Sequence, residues 1–329
     1  MASNQPPDAA QQLPEIIVLG PPSVFRAYDG EFSSRFQVLR PWESQSPLPQ
    51  FLADRAQSTR AALCSGAFSL SAAILCNLPS LGLIVTTSAG LDHIDLTECR
   101  RRGIAVASAG NIFSADVADL AVGLLLDLLR KISTGNRFVR DGLWPRQAEY
   151  PLGVKVGGKR VGIVGLGSIG VEVAKRLEAF GCAISYYSRK KKPLVSYAFY
   201  PDIYALALNS DVLVLCCALT EQTHHMINRE VMVALGKDGV IVNIARGAVI
   251  DEKELVCCLQ QGEIAAAGLD VFENEPRVPN ELYELDSVVL SPHAAVFTEE
   301  SFTELYQLMA GNLEAFFSNR PLLSPIPDE

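Results

Sequence analysis

A glycine triplet, Gly165-x-Gly167-x-x-Gly170, closes an apolar run at 161–164 and opens a helical pattern through Val171, Val173, Ala174, Leu177 and Phe180. Glycines at this spacing let the backbone turn sharply and let a pyrophosphate come close. The start of the following helix offers unpaired N–H groups and a positive dipole end to that anion. The triplet alone also serves plain turns, but a strand before it and a helix after it are the context a dinucleotide site requires. Gly165, Leu166, Gly167, Ser168, Ile169 and Gly170 are therefore expected to hold a cofactor's phosphates. At the end of the next apolar run the chain reads Tyr187-Ser188-Arg189-Lys190-Lys191-Lys192. A carboxylate at this place would bond the adenosine ribose hydroxyls and select NAD. Here a hydroxyl and cations replace it, and guanidinium forks suit phosphate oxygens. Ser188, Arg189 and Lys190 are read as a 2′-phosphate site, which favours NADP over NAD. The competing reading is a solvated basic turn on an acidic protein.

Three later segments end in reactive groups. Val242-Asn243-Ile244-Ala245-Arg246-Gly247 ends with a cation, 268–276 carries Asp270 and Glu275, and Leu290-Ser291-Pro292-His293 ends with an imidazole. A lone Arg, Glu or His usually caps or decorates a surface. Arg246 and His293, however, both directly follow apolar runs, where ligand sites of α/β sheets form. A guanidinium supplies fixed positive charge and aligned donors. An imidazole titrates near ~6.5 and can give up a proton near neutral pH, and a neighbouring carboxylate favours its charged form.

These groups need strands to carry them. Short apolar runs at 16–19, 36–39, 61–64, 83–86 and 104–106, with helical patterns between them, predict a small parallel α/β unit. Residues 114–140 read as one long helix, with Ser114 as N-cap and Asp116 in the first turn. A second series of six strands at 160–164, 183–187, 212–216, 240–244, 265–269 and 288–290 predicts a doubly wound sheet, and 299–318 reads as a final helix. The expected organisation is α/β. A Rossmann-type parallel sheet at 109–292 is inserted in a smaller, flavodoxin-like substrate domain made of 1–108 and 293–329, with the site in the cleft between them.

The chain has 329 residues, is 49% hydrophobic and carries a net charge of −9, so it can build a sizeable core and lacks the basic face that nucleic acid or an anionic membrane wants. Its eight cysteines include no CxxC, and no Cys/His spacing suggests zinc; buried, reduced thiols and no metal are expected. The proline-rich residues 1–14 read as a disordered tail without the basic and apolar parts of a secretory signal, and the longest apolar stretch is too short to span a bilayer. A cytoplasmic location is the expectation.

Over about 16–317, and most strongly over 158–293, the chain resembles the D-isomer-specific 2-hydroxyacid dehydrogenase family, above all its plant-type hydroxyphenylpyruvate and glyoxylate/hydroxypyruvate reductases. The resemblance implies that Arg246 holds a substrate carboxylate and polarises the keto oxygen. It further implies that His293 donates a proton to that oxygen and that Glu275 orients the histidine. Asp270 corresponds to an aspartate near the nicotinamide, and Cys217, Ile244 and Ala245 to other cofactor contacts. Ser88-Ala89-Gly90-Leu91-Asp92-His93-Ile94-Asp95 matches the loop whose amides, at Ala89 and Gly90, receive the carboxylate, with His93 expected to cap a helix. Trp144 matches a tryptophan that in glyoxylate reductases reaches the partner's site, and the apolar surface of the long helix from Ser114 predicts a symmetric homodimer built on it. The chemistry agrees, because hydride addition to a ketone leaves an alkoxide that needs a cation and a proton. Two positions depart from the family pattern, with Ala295 where a glycine is common and Ala218 where a proline is.

The implied activity is NADPH-dependent reduction of a 2-keto acid (hydroxypyruvate, glyoxylate or hydroxyphenylpyruvate) to the D-2-hydroxy acid. The alternatives are an NAD-linked dehydrogenase of the same family and a non-catalytic NAD(P)H-sensing protein on this fold.

Overall fold

Nearly every apolar run becomes a parallel strand covered on both faces, as continuous runs of Val, Ile and Leu require. In the computed structural model, which describes residues 13–147 and 149–327, these strands fall into two units. One comprises the chain up to Ile112 together with the part from Glu299 onward, and the other comprises Phe113–Thr298. Of the expected tail at 1–14, residues 1–12 lie outside the described residues.

In the smaller unit β1 (Glu15–Leu19), β2 (Gln37–Leu39), β3 (Ala61–Cys64), β4 (Leu83–Thr86) and β5 (Ala105–Ala107) form a parallel sheet in the order β2-β1-β3-β4-β5. That is the flavodoxin-like order. Ile17, Leu19, Leu52, Ala62, Leu75 and Ile84 fill the core on one face. The loop after β4 places Ala89 exposed and Gly90 half-buried. His93 does not cap the helix that follows. Its Nε2 lies 2.9 Å from the Thr86 hydroxyl, and the cap is Asp95, whose carboxylate takes the Glu98 N–H.

The larger unit carries β6 (Arg160–Val164), β7 (Ala183–Tyr187), β8 (Ala198–Tyr200), β9 (Val212–Leu215), β10 (Val240–Asn243), β11 (Ala266–Leu269) and β12 (Val288–Leu290). They form one parallel sheet in the order β12-β11-β10-β9-β6-β7-β8. Strand order reverses between β6 and β9, which is where doubly wound sheets bind ligands. The expected six strands are seven. The additional one, β8, is three residues long beyond a Lys/Pro stretch, and it pairs with β7 while Phe199 packs on Tyr186 with ring centroids 5.4 Å apart.

The long helix expected at 114–140 is two, Ser114–Arg130 and Ile132–Arg140, broken at Lys131 with φ +55°. No glycine or proline marks the break. The segment that crosses here makes it: the Val154 N–H donates to the Leu129 carbonyl at 2.7 Å, and the Tyr150 hydroxyl donates to the Lys131 carbonyl at 2.8 Å. Asp127 receives both the N–H and the hydroxyl of Ser133 and so starts the second helix. Ser114 is not the N-cap either. Phe113 holds that place, and the Ser114 hydroxyl is buried without a hydrogen-bond partner.

The first of these helices turns Val117, Ala118, Ala121, Leu124, Leu125 and Leu129 inward. Each large apolar side chain buried contributes about 1.5–3 kcal/mol. The Arg176–Asp119 ion pair beside it is exposed on the aspartate side and is worth about 0–1 kcal/mol, so the apolar face sets the packing.

The boundaries fall later than the expected 108/109 and 292/293. Ser108 and Ala109 stay with the smaller unit through N–H bonds to the Ser324 and Ser88 carbonyls. Residues 293–298 stay with the larger one because Asp270 takes the Ala294 and Ala295 amides and the Thr298 hydroxyl donates to Asp116. The last helix, Glu299–Phe317, belongs to the smaller unit.

Candidate active site

Six parallel strands of the larger unit end on the same edge, and each delivers one of the expected residues there. Gly165 follows β6, Ser188 follows β7, Cys217 follows β9, Arg246 follows β10, Asp270 follows β11 and His293 follows β12.

The glycines are required on separate grounds. Gly165 has φ +96°, and a Cβ there would stand 2.7 Å from the Cys217 backbone. A Cβ on Gly170 would lie 2.3 Å from the Gly165 carbonyl oxygen, so the helix Ser168–Ala179 could not approach its strand. Gly167 faces open space within 4 Å. It is the N-cap of that helix and offers no side-chain cap to the first-turn amides. Open space beside uncapped amides suits a dinucleotide's phosphates. Leu166 is buried, so only its backbone can serve there. The turn after β7 is held by a bond from the Ser188 hydroxyl to the Lys190 carbonyl at 2.6 Å and leaves Arg189 and Lys190 exposed, with no carboxylate in the turn. Burial pushes the Cys217 thiol up to about 11, so it lines the site uncharged.

Arg246 is presented by a turn that Asn243 shapes. Asn243 is buried; its amide N donates to the Arg246 carbonyl at 3.0 Å and its amide oxygen accepts from Ala245 N–H at 3.0 Å. Ile244 and Ala245 are buried beneath the turn. Gly247 follows, where a Cβ would overlap the Phe272 carbonyl carbon at 1.8 Å. The backbone that leads to Glu275 therefore lies directly on the backbone that follows Arg246.

His293 has φ +53°, and its Nδ1 lies 2.8 Å from Glu275 Oε2. The other carboxylate oxygen of Glu275 accepts the Phe272 N–H at 3.0 Å. Half-burial works to raise the Glu275 carboxyl. The hydrogen bonds from His293 and Phe272, with the charges of His293 and Arg246, outweigh it and hold the carboxyl below its ordinary value. A carboxylate held ionised against Nδ1 fixes the ring and leaves Nε2 as the atom that exchanges a proton.

Asp270 is almost wholly buried. Its carboxylate accepts from the Ser291 hydroxyl at 2.6 Å and from the Ala294 and Ala295 amides, while its carbonyl accepts the His293 N–H at 2.8 Å. In the structure its side chain is the anchor of the His293 loop. Ala295 is buried in that loop, and the Ala218 carbonyl accepts from the Thr223 hydroxyl at 2.7 Å. Trp144 lies in the turn after the helix Ile132–Arg140 and is 63% exposed. Ala89 and Gly90 belong to the smaller unit, apart from this cluster in the chain's division.

Sequence reasoning passed over Asn243, Gly247 and Ser291 as site-builders. An asparagine and a glycine flanking a strand-end arginine were readable signals; the Ser291–Asp270 bond, across 21 positions, was not.

With this geometry in place, the likenesses to known proteins are specific. Residues 122–295 match the family described as D-isomer specific 2-hydroxyacid dehydrogenase, NAD binding domain. The chain is 55% identical over 319 residues to a glyoxylate/hydroxypyruvate reductase of Arabidopsis thaliana, covering 97% of this chain and 99% of that one. It is 45% identical to a hydroxyphenylpyruvate reductase of Plectranthus scutellarioides, covering 94% and 98%. Its fold matches the crystal structure of an NADPH-dependent glyoxylate/hydroxypyruvate reductase from Sinorhizobium meliloti in complex with NADP and malonate, with a TM-score of 0.89, 33% identity and coverage of 95% and 96%.

Proposed function

This chain belongs to the D-isomer specific 2-hydroxyacid dehydrogenase family, and from that premise we propose that it is an NADPH-dependent reductase turning hydroxypyruvate, glyoxylate or hydroxyphenylpyruvate into the D-2-hydroxy acid. The family makes it an enzyme that acts on 2-keto acids with a nicotinamide dinucleotide. The finer reading rests above all on the His293–Glu275 pair, set at 2.8 Å on the same strand edge as Arg246 and the glycine turn. Bound nicotinamide would supply the hydride. Arg246 holds the substrate carboxylate and polarises the keto oxygen. His293 gives its Nε2 proton to the oxygen as negative charge develops there. Glu275 keeps the ring oriented through its Nδ1. The test is consumption of NADPH with each of the three acids, with the handedness of the product determined. An L-configured product, or equal turnover of a simple aldehyde without a carboxylate, would overturn the reading.

The preference for NADPH rests on the turn Ser188-Arg189-Lys190, where cations stand without a carboxylate. Losing one charge-assisted bond costs about 1.5–3 kcal/mol. Arg189→Ala should therefore raise the KM for NADPH about tenfold or more and leave that for NADH nearly unchanged. Equal effects on both cofactors would refute it.

Assembly is proposed from the helix Ile132–Arg140, which buries none of its residues and leaves Ile132 and Val139 more than half exposed. We expect a symmetric homodimer formed on this face, with Trp144 contributed to the partner's site. Sedimentation at micromolar concentration checks it, and a fully active monomer would count against both parts.

A further inference from the structure

His224 and His225 lie in the turn after β9, far in sequence from Glu273, yet one ligand atom from each of the three comes within 4.8 Å of the others. The turn is fastened in place. The His225 N–H bonds the Ala248 carbonyl at 2.8 Å, and Ile227 exchanges backbone bonds with Val249 and Asp251. His225 sits at φ +51°, which aims its ring at the loop after β11. Its Nε2 lies 3.0 Å from Glu273 Oε1, and its Nδ1 lies 3.8 Å from Asp251 Oδ2. The His224 ring, exposed to solvent, stacks on it with centroids 4.0 Å apart.

We propose that His224, His225 and Glu273 form a binding site for a single divalent transition-metal ion of the zinc class. Ligand atoms around a tetrahedral zinc with Zn–N and Zn–O bonds of about 2.0–2.1 Å stand about 3.4 Å apart. The His225–Glu273 pair is already near that spacing, and the exposed His224 ring needs only a small turn to join it. Asp251 stands 3.8 Å from the other nitrogen of His225 and adds negative charge beside the ring. With both imidazoles neutral, Asp251 and Glu273 leave the cluster with two negative charges, which a divalent cation balances. Imidazole nitrogens favour zinc, copper or nickel over calcium or magnesium, which prefer all-oxygen sites. A fourth position stays open to water. A plain structural bond between His225 and Glu273 would have no use for a second imidazole stacked beside it. Sequence spacing predicts no metal, since Glu273 lies 48 positions beyond His225 and only the fold brings them together.

The test is titration of the full-length protein with Zn²⁺ against a chromophoric chelator, read together with thermal unfolding. One ion per chain should bind and raise the unfolding temperature. His224→Ala, at an exposed position, should weaken binding more than tenfold, and Asp251→Asn, which removes the charge but keeps an acceptor for the Glu254 N–H at the cap of the helix Glu252–Gln261, should weaken it by less. His293→Ala should leave zinc affinity unchanged, which separates this site from the other histidine–carboxylate pair. No binding, equal binding in His224→Ala, or loss of binding in His293→Ala would each overturn the proposal. Because the readout is metal affinity, it stands apart from the reductase reading and fails separately from it.

Discussion

Replacing His293 with alanine is expected to lower kcat for keto-acid reduction by about 10²–10⁴ while NADPH still binds, because the variant removes a positioned proton donor and leaves the glycine turn untouched. The measurement is kcat beside cofactor affinity from fluorescence titration. A kcat within a few-fold of the parent would remove His293 from the chemistry. Glu275→Gln probes the same pair through its carboxylate. Partial burial works to raise the Glu275 carboxyl, but the His293 and Phe272 hydrogen bonds and the nearby charges outweigh it and hold it below its ordinary value, so its charge is lost only as pH falls through that lowered value. The parent's rate should therefore fall on the acid side, and that limb should disappear in Glu275→Gln, whose amide does not titrate. An acid limb that persists unchanged would mean that Glu275 does not act through the 2.8 Å contact.

Arg246→Ala carries the second large effect. A fixed donor aimed at a developing oxyanion is worth about 10²–10³ in rate, and the same guanidinium is assigned the substrate carboxylate. We expect kcat/KM for glyoxylate and hydroxypyruvate to fall by at least that factor, and the parent's preference for keto acids over simple aldehydes to collapse with it. Arg246→Lys should recover only a fraction, since an ammonium restores the charge but not the paired donors. A variant that loses rate but keeps the full preference for carboxylate-bearing substrates would remove carboxylate recognition from Arg246.

Much of this site is legible in the one-dimensional chain because its signals are local. Gly165, Gly167 and Gly170 sit within six residues, between a buried strand and a helix; Gly165 and Gly170 answer to steric demands that the structure displays, and Gly167 leaves open space beside the helix's first amides. Arg246 and His293 end apolar runs, and runs of that kind become strands whose carboxyl ends share one edge. The polarity of the turn at Ser188-Arg189-Lys190 is equally local. The misreadings have a common cause. The break at Lys131 comes from a crossing segment some twenty residues later that captures the helix's last carbonyls. The strand Ala198–Tyr200 is too short to announce itself and exists because β7 offers it an edge.

Sequence alone determined the α/β class and the family, and it singled out the glycine turn, Arg246, Glu275 and His293 as the candidate site, since each depends on residue type at short spacing. Tertiary structure decided how those groups are held. Asp270, read as a nicotinamide contact, spends its carboxylate on Ser291 and the amides after His293. Gly247 lets the backbone after Arg246 touch the backbone before Glu275, and Asn243 shapes the arginine's turn. The His224–His225–Glu273 cluster exists only once the loops after β9 and β11 are side by side. The physical reason is the same throughout. Backbone conformation and strand-ending chemistry are written over a few residues, whereas hydrogen bonds and ligand sets between separate loops depend on a sheet order that brings remote segments into contact.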